Sequence, residues 1–139
     1  MPENLLPNPK SPIYVIDNSF LVDYLVNENR PELPPEPGTW IAPDLLQLEF
    51  ISALRSLILS GAMTEEESLN LLDDFFGISL FLFPTTKEQL LRCLTLSHRF
   101  TVYDAAYVVL AREMNATLVT HDLRLAREAE KLVEVFTGE

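Results

Sequence analysis

Four acidic residues stand where the surrounding pattern calls for burial or for the end of a strand: Asp17, Glu49, Asp104 and Asp122. Brought together, four carboxylates offer hard oxygen ligands to divalent cations, and without cations they repel one another. Each also has a simpler account. Asp17 follows the apolar run IYVI and can cap the next helix, and Asp122 follows LVT and can do the same. Asp104 sits three residues after Thr101, at a capping-box position where an acid also complements the helix dipole. Glu49 lies in DLLQLEFISALRSL with Leu45, Leu46, Ser52 and Ala53 at helical spacing. An unpaired carboxylate on a buried helix is costly, so Glu49 pairs with Arg55 or another cation, or it holds a metal. Taken singly, the capping accounts suffice for the three aspartates; taken together, the four acids ask for a common cause.

The elements that would position them follow from hydrophobic periodicity. Ile13 to Ile16 reads as a buried parallel strand ending at Asp17, and Phe20, Leu21, Tyr24 and Leu25 continue at helical spacing with Asn18 or Ser19 as N-cap. The segment 28–38, ENRPELPPEPG, has four prolines and is expected to be an exposed loop. Trp40 to Ala42 suits a short strand, with Pro43 in the first turn of a helix from Asp44 to Ser60 that is apolar on nearly every face and should be largely buried. Thr64 with Glu67, and Thr86 with Gln89, have capping-box spacing and open helices reaching about Phe76 and about His98. Between them, Leu80 to Phe83 reads as a strand.

Thr101 and Asp104 open a further apolar helix through Met114. Thr117 to Thr120, Asp122 to Lys131 and Val133 to Phe136 then read as strand, helix and strand. Apolar strands alternating with helices predict an α/β/α sandwich around a five-stranded parallel sheet. In such sheets ligands bind at the carboxyl ends of the strands, where all four acids can converge.

Composition sets bounds on this reading. The chain has 139 residues, 47% of them hydrophobic, which suits one compact domain over 1–139 with a flexible N-terminus at 1–11. The lone Cys93, among Leu90, Leu91 and Leu94, excludes an intrachain disulfide and a cysteine-based zinc site; it is expected to be a buried small hydrophobe in a reducing compartment. No run approaches the roughly 18 apolar residues of a membrane span, and MPENLLPNPKSP lacks the features of a secretion signal. A cytoplasmic protein is expected. The net charge of −11 speaks against a broad phosphate-binding surface, but it suits acids gathered around cations, and it suits a basic protein partner.

Three stretches carry a resemblance. YVIDNSFLVDYL, PDLLQLEFISAL and YDAAYVVLAREMNATLVTHDLRLA look like the signature regions of PIN-domain proteins, in the family's order and at its usual separations. The last is similar to the YDAxYxxLA…LxTxDxRLA pattern of VapC-type toxin ribonucleases. The resemblance implies a PIN-like fold. It also implies an Mg²⁺- or Mn²⁺-dependent endoribonuclease in which Asp17 and Asp104 hold the metal directly, Glu49 completes the site and Asp122 is the fourth, more variable acid. Ser19 and Thr120 match supporting hydroxyl positions, whereas Asn18 and His121 fall at variable positions.

Such hydrolysis leaves a 5′-phosphate and a 3′-hydroxyl without a histidine base or a nucleophilic serine. Arg55, Arg99 and Arg124 are candidates to guide the RNA backbone. The expected partners are RNA, an antitoxin whose bound segment offers Arg or Lys to the acids, and a second copy of the chain. The homodimer is expected because the helix from Asp44 to Ser60 and the segment Leu69 to Phe83 offer more apolar surface than a small domain buries. Rival readings are a catalytically silent PIN-fold binding module, an RNA-processing nuclease without an antitoxin, and a response-regulator-like domain. The last would need an acid pair near the first strand and a lysine after the last strand, and Lys131 precedes that strand.

Overall fold

The computed structural model describes residues 11–27 and 29–138. Of the expected N-terminal segment 1–11, all but Ser11 lies outside the described residues, as does Glu28 at the start of the proline-rich loop. The described elements run β1 (Ile13–Ile16), α1 (Asn18–Val26), β2 (Thr39–Pro43), α2 (Leu45–Leu59), α3 (Glu65–Phe76), β3 (Leu80–Phe83), α4 (Lys87–Thr95), α5 (Val102–Glu113), β4 (Thr117–Val119), α6 (Leu123–Ala129) and β5 (Val135–Phe136). All strand pairs are parallel, in the order β3-β2-β1-β4-β5, which is the expected α/β architecture.

Parallel crossovers are right-handed, so the direction of strand addition decides which face each helix covers. From β1 through β2 to β3 the chain moves one way, and α1, α2 and α3 pack against one another. The return from β3 to β4 carries α4 and α5 to the opposite face, where α5 lies across β1, β2 and β4 with α4 against it. That enclosure explains why every residue from Ala105 to Ala111 in α5 is buried, whichever way it points. Central β1 is buried throughout, and Val15, Ile16, Ile41, Leu118 and Val119 are fully covered. Each such side chain contributes roughly 1.5–3 kcal/mol of burial. Cys93 is a free, buried thiol on α4, as its neighbours suggest.

Several expectations need correction. Neither Asn18 nor Ser19 caps α1: Asp17 does, accepting from the Phe20 amide at 3.1 Å. Pro43 ends β2 rather than opening α2, and it pairs with Phe83. Strand amides alternate sides, and the Thr39 amide bonds to Pro12 while the Asp44 amide bonds to Phe83. Residue 43 therefore faces the β1 side beyond the last β1–β2 pair, Val15 with Ile41, so proline's missing N–H costs no ladder bond there. The α2 helix is not largely buried. It covers the stripe Leu46, Phe50 and Leu54 but leaves Leu48 76% and Leu59 68% exposed, because it has neighbours on one side only.

The α4 helix stops at Thr95, since Ser97 and Arg99 turn back to carbonyls three residues earlier. The proline-rich loop is irregular and mostly exposed. It is fastened by the Tyr14 hydroxyl donating to the Glu36 carbonyl at 2.6 Å and by Arg30 lying 4.5 Å from the Tyr24 ring centroid. Gly38 closes the loop where a Cβ would collide with the Pro12 carbonyl. Among the described residues no helix is long and apolar enough to cross a membrane.

Candidate active site

Strand order reverses between β1 and β4, because the chain leaves β1 toward β2 on one side and β4 lies on the other. Loops part at such a switch point and leave a crevice at the carboxyl ends of the strands. Ile16 is in register with Val119, so the next residues, Asp17 and Thr120, emerge side by side. Both are buried. Asp17 Oδ1 accepts from Ser19 Oγ at 2.7 Å and from the Phe20 amide, while Oδ2 accepts from Thr120 Oγ1 at 2.6 Å. Ser19 Oγ and Thr120 Oγ1 lie 3.2 Å apart, and they accept from the His121 and Asp122 amides respectively at 3.0 Å. Two hydroxyls therefore tie the β1 and β4 exits together around one carboxylate.

The other acids reach the same crevice from helices. Asp104 stands in the first turn of α5, whose N-cap Thr101 accepts from the Asp104 amide at 3.1 Å. Asp122 caps α6 through Oδ1, which accepts from the Arg124 and Leu125 amides at 3.1 Å. Glu49 rides on α2 without Arg55: its Oε1 accepts from the Tyr107 hydroxyl of α5 at 2.5 Å, and Asn18 Nδ2 donates to its carbonyl at 3.4 Å. Capping and convergence thus coexist at Asp17 and Asp122.

Electrostatics bring the four together. Burial, and then the charge of Asp122, push the Asp17 carboxyl above its usual range against the pull of its three hydrogen bonds. Burial raises Glu49, with Asp104 and Asp17 adding to it against the Tyr107 hydrogen bond. Burial and Asp122 raise Asp104, partly opposed by Thr101 and Arg124. Burial first, then Glu49, Asp17 and Asp104, push the Tyr107 phenol far above the ordinary tyrosine range, so it remains a neutral donor.

Among the described residues none of the four acids forms a salt bridge. Nor does any group of three His, Cys, Asp or Glu side chains stand close enough to chelate an ion. The donor set itself is all oxygen, which fits a hard divalent ion. Asn18 Oδ1, buried and without a hydrogen-bond partner among the described residues, adds an unsatisfied oxygen next in sequence to Asp17.

Of the candidate RNA-guiding arginines, Arg124 acts on Asp104. Arg99 acts on Glu128, and Arg55 is exposed on α2 and is not among the charges acting on Asp17, Glu49 or Asp104. His121 is held in place, its Nδ1 2.6 Å from Asp23 Oδ2 and its ring meeting Phe20 edge-on. Sequence reasoning missed Tyr107. It is the second tyrosine of the YDAxYxxLA pattern and, three residues after Asp104, lies on the same face of α5, but the pattern alone assigns it no role.

Residues 14–131 match the PIN domain family. Ribonuclease VapC1 of Mycobacterium tuberculosis is 36% identical over 85 residues, 61% of this chain and 64% of that protein, so the chain spans just under two thirds of that relative's length. Ribonuclease VapC3 of Pyrobaculum aerophilum is 33% identical over 126 residues, covering 86% of this chain and 96% of that protein. The crystal structure of PAE2754 from Pyrobaculum aerophilum is similar with a TM-score of 0.64 and 19% identity, over 88% of this chain and 83% of that one, a likeness of fold alone. Family match, relatives and fold agree with the three sequence stretches: the chain belongs to the PIN-domain family, as a member of the VapC type.

Proposed function

We propose that this protein is an Mg²⁺- or Mn²⁺-dependent endoribonuclease and the toxin of a toxin–antitoxin pair, formed as one PIN domain over 1–139, with Asp17, Glu49, Asp104 and Asp122 as the metal-holding acids. One observation carries the reading: at the switch point Asp17, Glu49 and Asp104 sit buried or half-buried, each raised first by burial and then by neighbouring acids, and among the described residues none of them forms a salt bridge. Retaining such a cluster costs stability, and a bound cation offsets that cost. The curated relatives, named as ribonucleases, support RNA as the substrate.

A divalent cation held by these carboxylates supplies the charge that polarises a phosphodiester and acidifies the attacking water. The chain's own residues do the rest. Ser19 and Thr120 fix the Asp17 carboxylate from both sides, and Asp122 keeps one oxygen free of capping bonds. Arg124, next to Asp104 in the field of the site, is the arginine best placed to orient an RNA phosphate. The Ser19 hydroxyl is committed to Asp17, which leaves water as the nucleophile, and, as the PIN resemblance implies, cleavage would leave a 5′-phosphate and a 3′-hydroxyl.

The antitoxin is a basic partner that lays Arg or Lys over the acids, in keeping with the net charge of −11. A second copy of the chain covers part of the apolar surface that α2, α3 and α4 leave open at Leu48, Leu69 and Leu94. The test is cleavage of RNA by purified protein with Mn²⁺, with chelator, and with Asp104→Asn. Metal-dependent cleavage lost in the variant is expected; a protein that binds RNA but never cuts it is instead the silent module, and cutting with no cognate antitoxin marks an RNA-processing enzyme.

A further inference from the structure

Resting on that reading, we propose that Tyr107 is a positioning residue whose hydroxyl sets the orientation of the Glu49 carboxylate. Glu49 is the one acid of the four that arrives without local support. Asp17, Asp104 and Asp122 are each held at the start of a helix by a cap, whereas Glu49 lies inside α2, whose outer face is open to solvent. A glutamate side chain has three rotatable bonds, so placing its carboxylate requires a partner.

That partner comes from across the sheet. Tyr107 is 2% exposed, and its hydroxyl meets Glu49 Oε1 at 2.5 Å, 58 positions away in sequence. Among the described residues it is the sole hydrogen-bond donor to this carboxylate. Because Tyr107 follows Asp104 by three residues, one face of α5 carries both an acid and the group that aims another acid beside it. The Asn18 amide holds the Glu49 main chain in the same way from the start of α1, directly after Asp17. Glu49 is thereby tied to two of the three helices that begin at the other acids, α1 and α5. The bond takes one carboxylate oxygen and, among the described residues, leaves Oε2 without a donor, where it would be open to a cation; the phenol hydroxyl donates and would not compete for that cation.

The alternative is that Tyr107 only fills the core, as its burial allows. Tyr107→Phe separates the two accounts, since it keeps the ring and removes the hydroxyl. The readout is the Mn²⁺ concentration at the midpoint of the thermal shift, alongside the Mn²⁺ dependence of RNA cleavage. Tyr107→Phe should raise that midpoint by about 10–100-fold, the usual cost of losing a group that orients a ligand, and saturating Mn²⁺ should restore most of the maximal rate. Glu49→Gln should abolish most of the metal shift, and adding Tyr107→Phe to it should change nothing further.

A Tyr107→Phe midpoint equal to wild type, with Glu49→Gln still impaired, overturns this inference and leaves the proposed function standing. Full metal shifts in Glu49→Gln and Asp104→Asn overturn the proposed function itself. Should Tyr107→Phe fold poorly, Glu49→Asp retracts the same carboxylate from the hydroxyl, and it too should raise the midpoint; an unchanged midpoint there counts against the inference.

Discussion

At the scale of single residues, the acids differ in how cleanly each can be tested. Asp17 accepts three hydrogen bonds, so an asparagine there turns its amide against a donor and mixes cap loss with charge loss. Asp104 has a lighter web, its amide bonded to Thr101 and its carboxyl held down only by Thr101 and Arg124, which makes Asp104→Asn the sharper probe. Its carboxyl is raised in the folded protein, so over the window that starts at the ordinary value of 3.8 the folded state binds protons that the unfolded chain has released. Metal-free stability therefore falls as pH rises through that window, and below it the effect vanishes. In chelator, Asp104→Asn should melt at or above wild type at neutral pH, and the two should converge in acid. With Mn²⁺ the order should invert, because wild type gains binding energy that the variant lacks. Melting curves at several pH values, with and without Mn²⁺, check all three statements.

At the scale of elements, much of the fold was readable because its signals are local. The β-branched run IYVI, the Thr64–Glu67 and Thr86–Gln89 capping boxes and Gly77 each declare a boundary without help from the rest of the chain. Burial was less readable. The apolar pattern of α2 matched a buried helix, yet its surroundings leave one side bare, and periodicity alone does not say how many neighbours a helix has. The acids were legible for the same reason as the strands, since Asp17 directly follows one apolar run and Asp122 comes three residues after another. The Tyr107–Glu49 bond was not, since it joins two helices distant in sequence and becomes visible only once α5 lies across the sheet. Caps offer a test at this scale. Thr64→Ala and Thr101→Ala each remove a side-chain cap and should cost about 1 kcal/mol of stability. Only the second loosens the turn that carries Asp104, so Thr101→Ala alone should also weaken the Mn²⁺-induced shift in melting temperature.

At the scale of the whole molecule, a net charge of −11 meets a polyanionic substrate. A protein that binds RNA through a basic surface loses affinity as salt rises, by release of counterions. Here the long-range force is repulsive and salt screens it. The apparent KM for RNA should hold level or fall between about 50 and 200 mM salt. Association with a basic antitoxin should slow over the same range, which stopped-flow mixing would measure. The apolar patches on α2, α3 and α4 predict a dimeric mass at micromolar concentration by light scattering, and Leu94→Glu should reduce it if α4 lies at the contact. Cys93, finally, makes the protein its own stopwatch. It is the single cysteine, 1% exposed, and burial also holds its thiol in the unreactive protonated form. A thiol reagent can label it only when α4 lifts from α5, so the labelling rate counts those openings. Labelling that slows in Mn²⁺ would mean that the crevice and α4 open together; an unchanged rate would mean that α4 breathes independently of the crevice.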